Sequence, residues 1–228
     1  MTKTVSGETP FAGFTEALPG FLRELGRNNT REWFQAHKQE FTEVVAVPLA
    51  ALAHSLAADM DAIDPELVCR VSRPHRDTRF SSDKSPYRTA MWFTYRHPQT
   101  QWTDKPAFFF ETTPEQCRWG MGFFAARPAT MSALRDAVVE RPHDYLAALK
   151  TAAQRNFVLD GDPYKRPPPV PDGTAEPIAD LYRRRNAYFS LTMGYDAPEL
   201  RDAGFGTVLA ADFEALAAMY STFMLVND

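Results

Sequence analysis

Four short runs near the middle of this chain, three of them rich in aromatic residues, restrict its fold more than any other feature of the sequence. They span residues 67–72, 91–95, 107–111 and 118–124, and turn residues separate them. Runs of this length, rich in aromatic and β-branched residues and bounded by turns, are typical of β-strands. A further run at 188–191 brings the predicted sheet to about five strands.

Helix-type patterns lie on both sides of these strands. Apolar residues recur at helical spacing from Leu18 to Leu25, and Gly26 follows where a helix takes a left-handed cap. We expect Asn29, with Glu32, to cap a second helix, which Pro48 kinks or restarts. Further helices are predicted after Pro128, at 144–153 and at 208–223. The order indicates an α+β domain with a mainly antiparallel sheet covered by N-terminal and C-terminal helices.

The length of the chain is that of one large domain or two small ones, since a domain averages about 150 residues. Residues 161–177 contain six prolines and cannot form a regular element. The segment after these prolines is too short to fold alone, so we predict a single domain over residues 11–223 and a flexible N-terminus at 1–10.

Charge and cysteine usage restrict the location and the partners. The formal net charge is -4, so the field of the whole molecule does not attract nucleic acid or anionic lipid, and any anion site must be local. Cys69 and Cys117 form no CxxC pair, which is typical of a reducing compartment. No apolar stretch reaches about 18 residues, so we predict a cytoplasmic protein without a membrane partner.

Residues 70–88, the cationic segment, carry the largest charge contrast in the chain. Six basic residues stand against two acidic ones, Asp77 and Asp83, for a local charge of +4. Arginine presents a planar fork of donors that fits phosphate or carboxylate, and serine hydroxyls add further donors. The six basic residues are Arg70, Arg73, Arg76, Arg79, Lys84 and Arg88.

The sequence also resembles a known family. The motifs NNTREWF (28–34), RDTRFSSDKSPYR (76–88) and KRPP (165–168) resemble those of domain-of-unknown-function family 2461, a family of conserved hypothetical proteins. Their order and spacing fit from about Phe11 to Phe223, and the thirteen-residue central motif is specific. The resemblance implies a single-domain member of this family but supplies no biochemical activity. The chain departs from the pattern at Arg73-Pro-His75 and at 183–185, where three arginines replace the more usual lysine.

Two interpretations of loop 76–88 follow from these residues. In the first, the loop binds a phosphorylated or other anionic small molecule, or a nucleic-acid end. If hydrolysis or transfer follows, Asp77 or His75 carries the proton. Asp77 also orients the cations, and the predicted ligand contacts are Arg76, Arg79, Ser81, Lys84, Tyr87 and Arg88.

In the second interpretation, the loop is a structural brace. Arg76 or Arg79 would then pair with Asp77, Asp83, Glu32 or Glu111, and would pin the loop to the sheet. The protein would be a non-catalytic interaction protein that docks a partner through its aromatic sheet or its proline-rich segment. The excess of cations favours the ligand interpretation, because two carboxylates cannot neutralise six positive groups.

Other kinds of site lack their sequence signals. The five histidines show no HxH or HExxH spacing, so no metal site is predicted, and the serines lack a GxSxG setting. Neither GxGxxG nor a P-loop is present, which excludes nucleotide binding by those devices. The residues identify no cofactor.

Overall fold

A computed structural model of the chain describes residues 10–98 and 104–225. The predicted flexible N-terminus lies, apart from Pro10, outside the described residues. The first helical block contains α1 (Ala17–Arg27), α2 (Arg31–Ala36), α3 (Lys38–Phe41), a π-helical turn (Thr42–Ala46), α4 (Val47–Ser55) and α5 (Ala57–Ile63). The later helices are α6 (Pro128–Glu140), α7 (Pro142–Gln154), α8 (Glu176–Tyr182), α9 (Phe205–Ala215) and α10 (Ala217–Met224), with a 3₁₀ turn at Pro198–Arg201.

The strands form one antiparallel sheet in the order β1-β2-β3-β4-β6-β5. They are β1 (Val68–Val71), β2 (Met91–Arg96), β3 (Ala107–Thr112), β4 (Gln116–Phe123), β5 (Val158–Asp160) and β6 (Ala187–Gly194). The prediction of an α+β fold with a mainly antiparallel sheet and helices at both ends is confirmed. The additional strand, β5, has three residues, which is too short to show an alternating pattern in the sequence.

Helices cover one face of the sheet. Several inward-facing aromatic rings of the sheet meet a ring from a helix or from the N-terminal segment: Phe110 meets Phe14 at 5.7 Å, Phe108 meets Phe213 at 5.2 Å, and Phe123 meets Phe223 at 5.7 Å between centroids. Fully buried Trp119 lies 5.4 Å from Phe205. Because side chains alternate along a strand, this core fixes which residues lie on the opposite, partly exposed face.

The ends of the first helices differ from the prediction. Helix α1 continues through Gly26 to Arg27. Its C-cap residue is Asn28, whose N–H donates to the carbonyl of Glu24 at 2.9 Å. Asn29 does not cap α2; Thr30 does, and its hydroxyl accepts from the N–H of Trp33 at 3.2 Å. Asn29 was a reasonable cap by residue type, but its amide binds a distant part of the chain instead.

The remaining helix predictions need smaller corrections. Pro48 lies in the first turn of α4, so the helix restarts there after the π-helical turn. The predicted helix at 208–223 is two helices that meet at Leu216. Residues 161–175 contain no helix or strand, as their prolines predict, and α8 begins at Glu176 with Pro177 in its first turn.

Long apolar helices are absent from residues 10–98 and 104–225. No single helix there is long and apolar enough to cross a membrane. One pair, Lys38–Ser55 and Ala57–Ile63, reaches the required length and apolarity only when taken together across a 44° bend.

Candidate functional site

The cationic segment connects β1 to β2 as a long, narrow arm. His75 pairs with Tyr87 in an isolated antiparallel bridge. The N–H of Arg76 donates to the carbonyl of Pro86 at 2.9 Å, and the N–H of Arg88 donates to the carbonyl of Pro74 at 2.8 Å. The arm therefore presents a tip, residues 77–85, and Arg76 and Arg88 lie at its neck.

Tyr87 attaches the arm to the body of the protein. Its backbone N–H donates to Oδ1 of Asn29 at 2.9 Å, and its carbonyl accepts from Nδ2 of Asn29 at 3.0 Å. Its ring is only 3% exposed and stacks on Phe34 at 4.0 Å, with the exposed His75 ring 5.0 Å away. The structure therefore places Tyr87, a predicted ligand contact, in the core. Asn29 and Phe34 belong to the first family-like motif, so two distant motifs meet here.

Asp77 and Arg79 form one closed pair at the tip. Asp77 accepts from Nε of Arg79 at 2.9 Å, from Nη2 at 2.6 Å and from the Arg79 N–H at 3.2 Å. These hydrogen bonds lower the pKa of Asp77 to about 2. A carboxylate with so low a pKa stays ionised at neutral pH, which suits an orienting partner better than a proton carrier.

Asp83 closes the second pair of the tip. It accepts from the hydroxyl and the N–H of Ser85 and from Nη1 of Arg76, and these donors hold its pKa well below the usual range. Nη2 of Arg76 is 3.5 Å from the hydroxyl of Ser81. Both arginine-carboxylate pairs thus lie within the loop.

The remaining cations have no carboxylate partner in the described parts of the chain. Lys84 donates to the carbonyl of Thr78 at 2.9 Å, and no ion pair forms to Arg70, Arg73 or Arg88. The tip also carries Phe80, which is 96% exposed. The loop thus combines fixed, paired arginines with unpaired cations and an exposed aromatic ring.

The predicted links from the loop to Glu32 or Glu111 do not form among the described residues. Glu111 instead accepts from Nη2 of Arg118 on the neighbouring strand at 2.9 Å. In the loop's own pairs, Arg79 is 78% exposed, whereas Arg76 is 25% exposed. Exposed pairs contribute little to stability, so the Arg79–Asp77 pair shapes the tip without pinning the loop to the sheet.

The partly exposed face of the sheet forms a second candidate site that the sequence reasoning did not identify. The register aligns three rows across β2, β3 and β4. The rows are Trp92, Glu111 and Arg118; Thr94, Phe109 and Gly120; and Arg96, Ala107 and Gly122. These residues, except Arg118 and Gly120, line a pocket of about 400 Å³ together with Phe124.

Arg118 stands over this face among aromatic rings. Its guanidinium lies 5.6–5.8 Å from the ring centres of Phe109, Phe124 and Tyr188, within range of cation–π attraction. Asp160 is a second, more distant carboxylate, 3.9 Å from Nη1. The register, rather than the sequence of any single strand, shows which residues of different strands meet here.

A buried polar cluster joins α5, β2 and α10. Nε2 of His97 lies 2.9 Å from Oδ2 of Asp64 and 3.1 Å from the hydroxyl of Tyr220, while Nδ1 lies 3.1 Å from Glu66. The hydroxyl of Tyr220 donates to Asp64 at 2.7 Å. Each member has partners within the cluster, which is the arrangement of a structural tie.

Metal ligands do not converge in the described residues: no group of three or more histidine, cysteine, aspartate or glutamate side chains there has the geometry to hold an ion.

Comparison with known proteins gives one match. The family described as conserved hypothetical protein (DUF2461) matches residues 17–221. No curated protein matches the chain.

Proposed function

The chain belongs to the DUF2461 family of conserved hypothetical proteins, and we propose that it is a cytoplasmic protein that binds a phosphorylated or other anionic ligand at loop 76–88. One observation carries this proposal: the two ion pairs close within the loop, and cations beside them keep no carboxylate partner in the described parts of the chain.

The closed pairs favour ligand binding because they fix arginine side chains in advance. Asp77 engages Nε and Nη2 of Arg79, which leaves Nη1 as a donor for a ligand oxygen. Asp83 orients Arg76 in the same way. A guanidinium that is already held in place loses less conformational freedom when it binds an anion.

The unpaired cations supply the attraction. Lys84 is exposed at the tip and donates only to a backbone carbonyl, while Arg88 lies at the neck opposite Pro74. Charge-assisted hydrogen bonds from such groups to phosphate or carboxylate are stronger than neutral ones. We assign Arg79, Lys84 and Arg88 the direct contacts, with Ser81 as a further donor.

The exposed ring of Phe80 bears on the kind of anion. It lies beside Arg79, whose guanidinium is 5.8 Å from the ring centre. An aromatic ring next to cations can stack on a base while the cations contact phosphates. A nucleic-acid end therefore stands next to the anionic small molecule as a ligand class for this loop.

If hydrolysis or transfer follows binding, His75 is the better candidate for the proton carrier. The low pKa of Asp77 keeps this carboxylate ionised, whereas the His75 ring is exposed at the neck of the arm. Histidine is the side chain that most often acts as a general acid or base in enzymes. Asp77 then keeps the role of orienting partner.

The alternative is a non-catalytic interaction protein in which the loop is a structural brace. The engagement of both tip carboxylates by arginines favours it. The exposure of the Arg79–Asp77 pair weighs against it, because exposed pairs stabilise a fold little.

The cytoplasmic assignment is supported by the cysteines. Cys69 and Cys117 are both free thiols, and burial raises the pKa of each to about 11. Unpaired, inert thiols are the usage expected in a reducing compartment.

The test is thermal unfolding of the purified protein with phosphate, a nucleotide, a sugar phosphate and short single-stranded DNA and RNA, each at two salt concentrations. A ligand at a hundred times its Kd raises the unfolding free energy by about 2.7 kcal/mol. We expect a salt-sensitive rise in the midpoint that Lys84→Ala reduces and that Lys150→Ala, a change of an exposed lysine on α7, leaves intact.

Phe80→Ala separates the two ligand classes. We expect it to weaken the binding of an oligonucleotide while leaving the response to inorganic phosphate unchanged. If no anion raises the midpoint, the brace alternative replaces the proposal.

A further inference from the structure

The pocket on the partly exposed sheet face exists because neighbouring positions of the register carry small side chains. Ala107 and Gly122 are paired in one row, and Thr94 lies in the adjoining row. Together these three residues form a floor. Larger side chains surround this floor: Trp92 and Arg96 on β2, Phe109 on β3, and Phe124 after β4. Aromatic walls over a floor of small residues produce a slot that fits a flat molecule.

The size of the slot also suits a small molecule. Its volume is about 400 Å³, and small-molecule sites in proteins measure about 300–1,000 Å³. Trp92 and Arg96 are four positions apart on β2, which corresponds to about 13 Å along an extended strand. A bicyclic ring with one substituent spans such a distance.

Thr94 places an unused hydrogen-bonding group in this floor. Its Oγ1 is buried and has no hydrogen-bond partner within residues 10–98 and 104–225. Buried hydroxyls nearly always have a partner, because leaving one unpaired is costly. This oxygen has almost no accessible surface, so a ligand in the slot would meet the rest of Thr94 rather than the hydroxyl.

The two ends of the slot carry side chains of opposite charge. Arg96 lies in the row with Ala107, at one end, while Glu111 lies in the row with Trp92, at the other. Oε2 of Glu111 accepts from Arg118, which leaves Oε1 as an acceptor. An acidic group therefore fits at Arg96, and an N–H donor fits at Glu111.

We propose that this slot binds a planar, bicyclic heteroaromatic carboxylate, with the ring against the aromatic walls, the carboxylate at Arg96 and an N–H edge at Glu111. The site lies on the sheet face and does not depend on the proposed anion site at loop 76–88.

The experiment measures the binding of three probes by calorimetry and by the shift of the unfolding midpoint. Pterin-6-carboxylate has all the proposed features, pterin lacks the carboxylate, and naphthalene-2-carboxylate lacks the ring heteroatoms and the N–H edge. We expect pterin-6-carboxylate to bind most tightly, with each of the other two at least tenfold weaker.

Variants of the floor and of the charged end test the location. Ala107→Leu fills the slot, and Arg96→Ala removes the cation. Each should raise the Kd for pterin-6-carboxylate at least tenfold. Thr192→Val, which changes an exposed threonine on the same face of β6, and Lys84→Ala, which changes the loop, should leave it unchanged.

The proposal is overturned if none of the probes binds, or if Ala107→Leu binds pterin-6-carboxylate as tightly as the unmodified protein. If Ala107→Leu does not fold, Arg96→Ala decides the question by the same measurement. Loss of binding in Lys84→Ala together with retained binding in Arg96→Ala would assign the probe to the loop and would also overturn the proposal.

Discussion

Asn29 and Tyr87, which are 58 positions apart, exchange two hydrogen bonds through one amide side chain and one backbone peptide unit. The amide replaces the strand partner that Tyr87 lacks at this edge of the arm. Stacking of Tyr87 on Phe34 adds an apolar contact at the same point. The position of the whole cationic arm therefore depends on a residue in the first helical block.

Removal of this amide should loosen the arm. Asn29→Ala leaves the N–H and the carbonyl of Tyr87 without their partner, and unpaired groups of this kind cost about 1–3 kcal/mol. We expect a fall of this size in the free energy of unfolding, measured with urea, and faster proteolytic cleavage within residues 77–85. Asn28→Ala is the control, because the side chain of the exposed Asn28 bonds only to Glu24. Equal effects of the two changes would contradict the role of Asn29.

Arg79→Ala separates the two interpretations of the loop. Because the pair with Asp77 is exposed, we expect the unfolding midpoint in denaturant to stay within experimental error of the unmodified protein, while the stabilisation by anions is lost. A large loss of stability, together with an unchanged response to anions, would instead support the brace.

Thr94→Val should make the protein without ligand more stable. The change removes a buried hydroxyl that has no partner in the described residues, and an unpaired polar group in such a place costs on the order of 1 kcal/mol or more. Urea unfolding should show a gain of about 1 kcal/mol. Thr192→Val, at an exposed position, should change stability by less than about 0.5 kcal/mol. A loss of stability in Thr94→Val would mean that the hydroxyl has a favourable partner.

Protonation of Asp64 should contribute to the loss of folding stability at acid pH. Burial alone raises the pKa of this carboxyl, but hydrogen bonds from Tyr220, from the backbone of Glu66 and from His97 outweigh it and lower the pKa. A lowered pKa in the folded state means that the stabilisation is present above the unfolded value of about 4 and is lost as the pH falls below it. We expect Asp64→Asn to be less stable at pH 7 and to show a flatter decline between about pH 4 and pH 2. Parallel curves for the two proteins would contradict this assignment.

Gly122→Ala should disrupt the pairing of β4 with β6. Gly122 has a φ of 149°, and a Cβ built there would approach Cα of Tyr188 to 2.4 Å. A clash with the backbone of the neighbouring strand cannot relax by a side-chain rotation, so we expect a loss of at least about 3 kcal/mol. Gly20→Ala, in α1 with open space around it, should gain about 0.5–1 kcal/mol by its helix propensity. Circular dichroism during denaturation measures both.

The strands were predictable because their aromatic runs are long enough to show a pattern, whereas β5 was not. The prediction of Asn29 as a helix cap was wrong because an amide can serve either a helix end or a distant peptide unit, and only the tertiary contact with Tyr87 decides between them. Among the site residues, the pairs of Arg79 with Asp77 and of Arg76 with Asp83 are local in sequence, and both carboxylates were foreseen as partners.

The slot on the sheet face was beyond the reach of the sequence for a different reason. Thr94, Ala107 and Gly122 are ordinary residues in three separate strands, and their small size matters only because the register places them side by side. Glu111 was one of four alternative carboxylate partners for the loop arginines in the brace interpretation, but it pairs with its cross-strand neighbour Arg118. Residue types within one strand can be interpreted from the sequence, while neighbours across strands require the pairing.

The strand order has a consequence for the behaviour of the protein at high concentration. Two of the inner strands, β4 and β6, have eight residues each, whereas the edge strands β1 and β5 have four and three. An exposed edge is a template on which another polypeptide can add a strand, and a short edge offers few backbone groups for this. The sheet is therefore poorly suited to polymerise through its edges, even though one of its faces remains accessible to solvent.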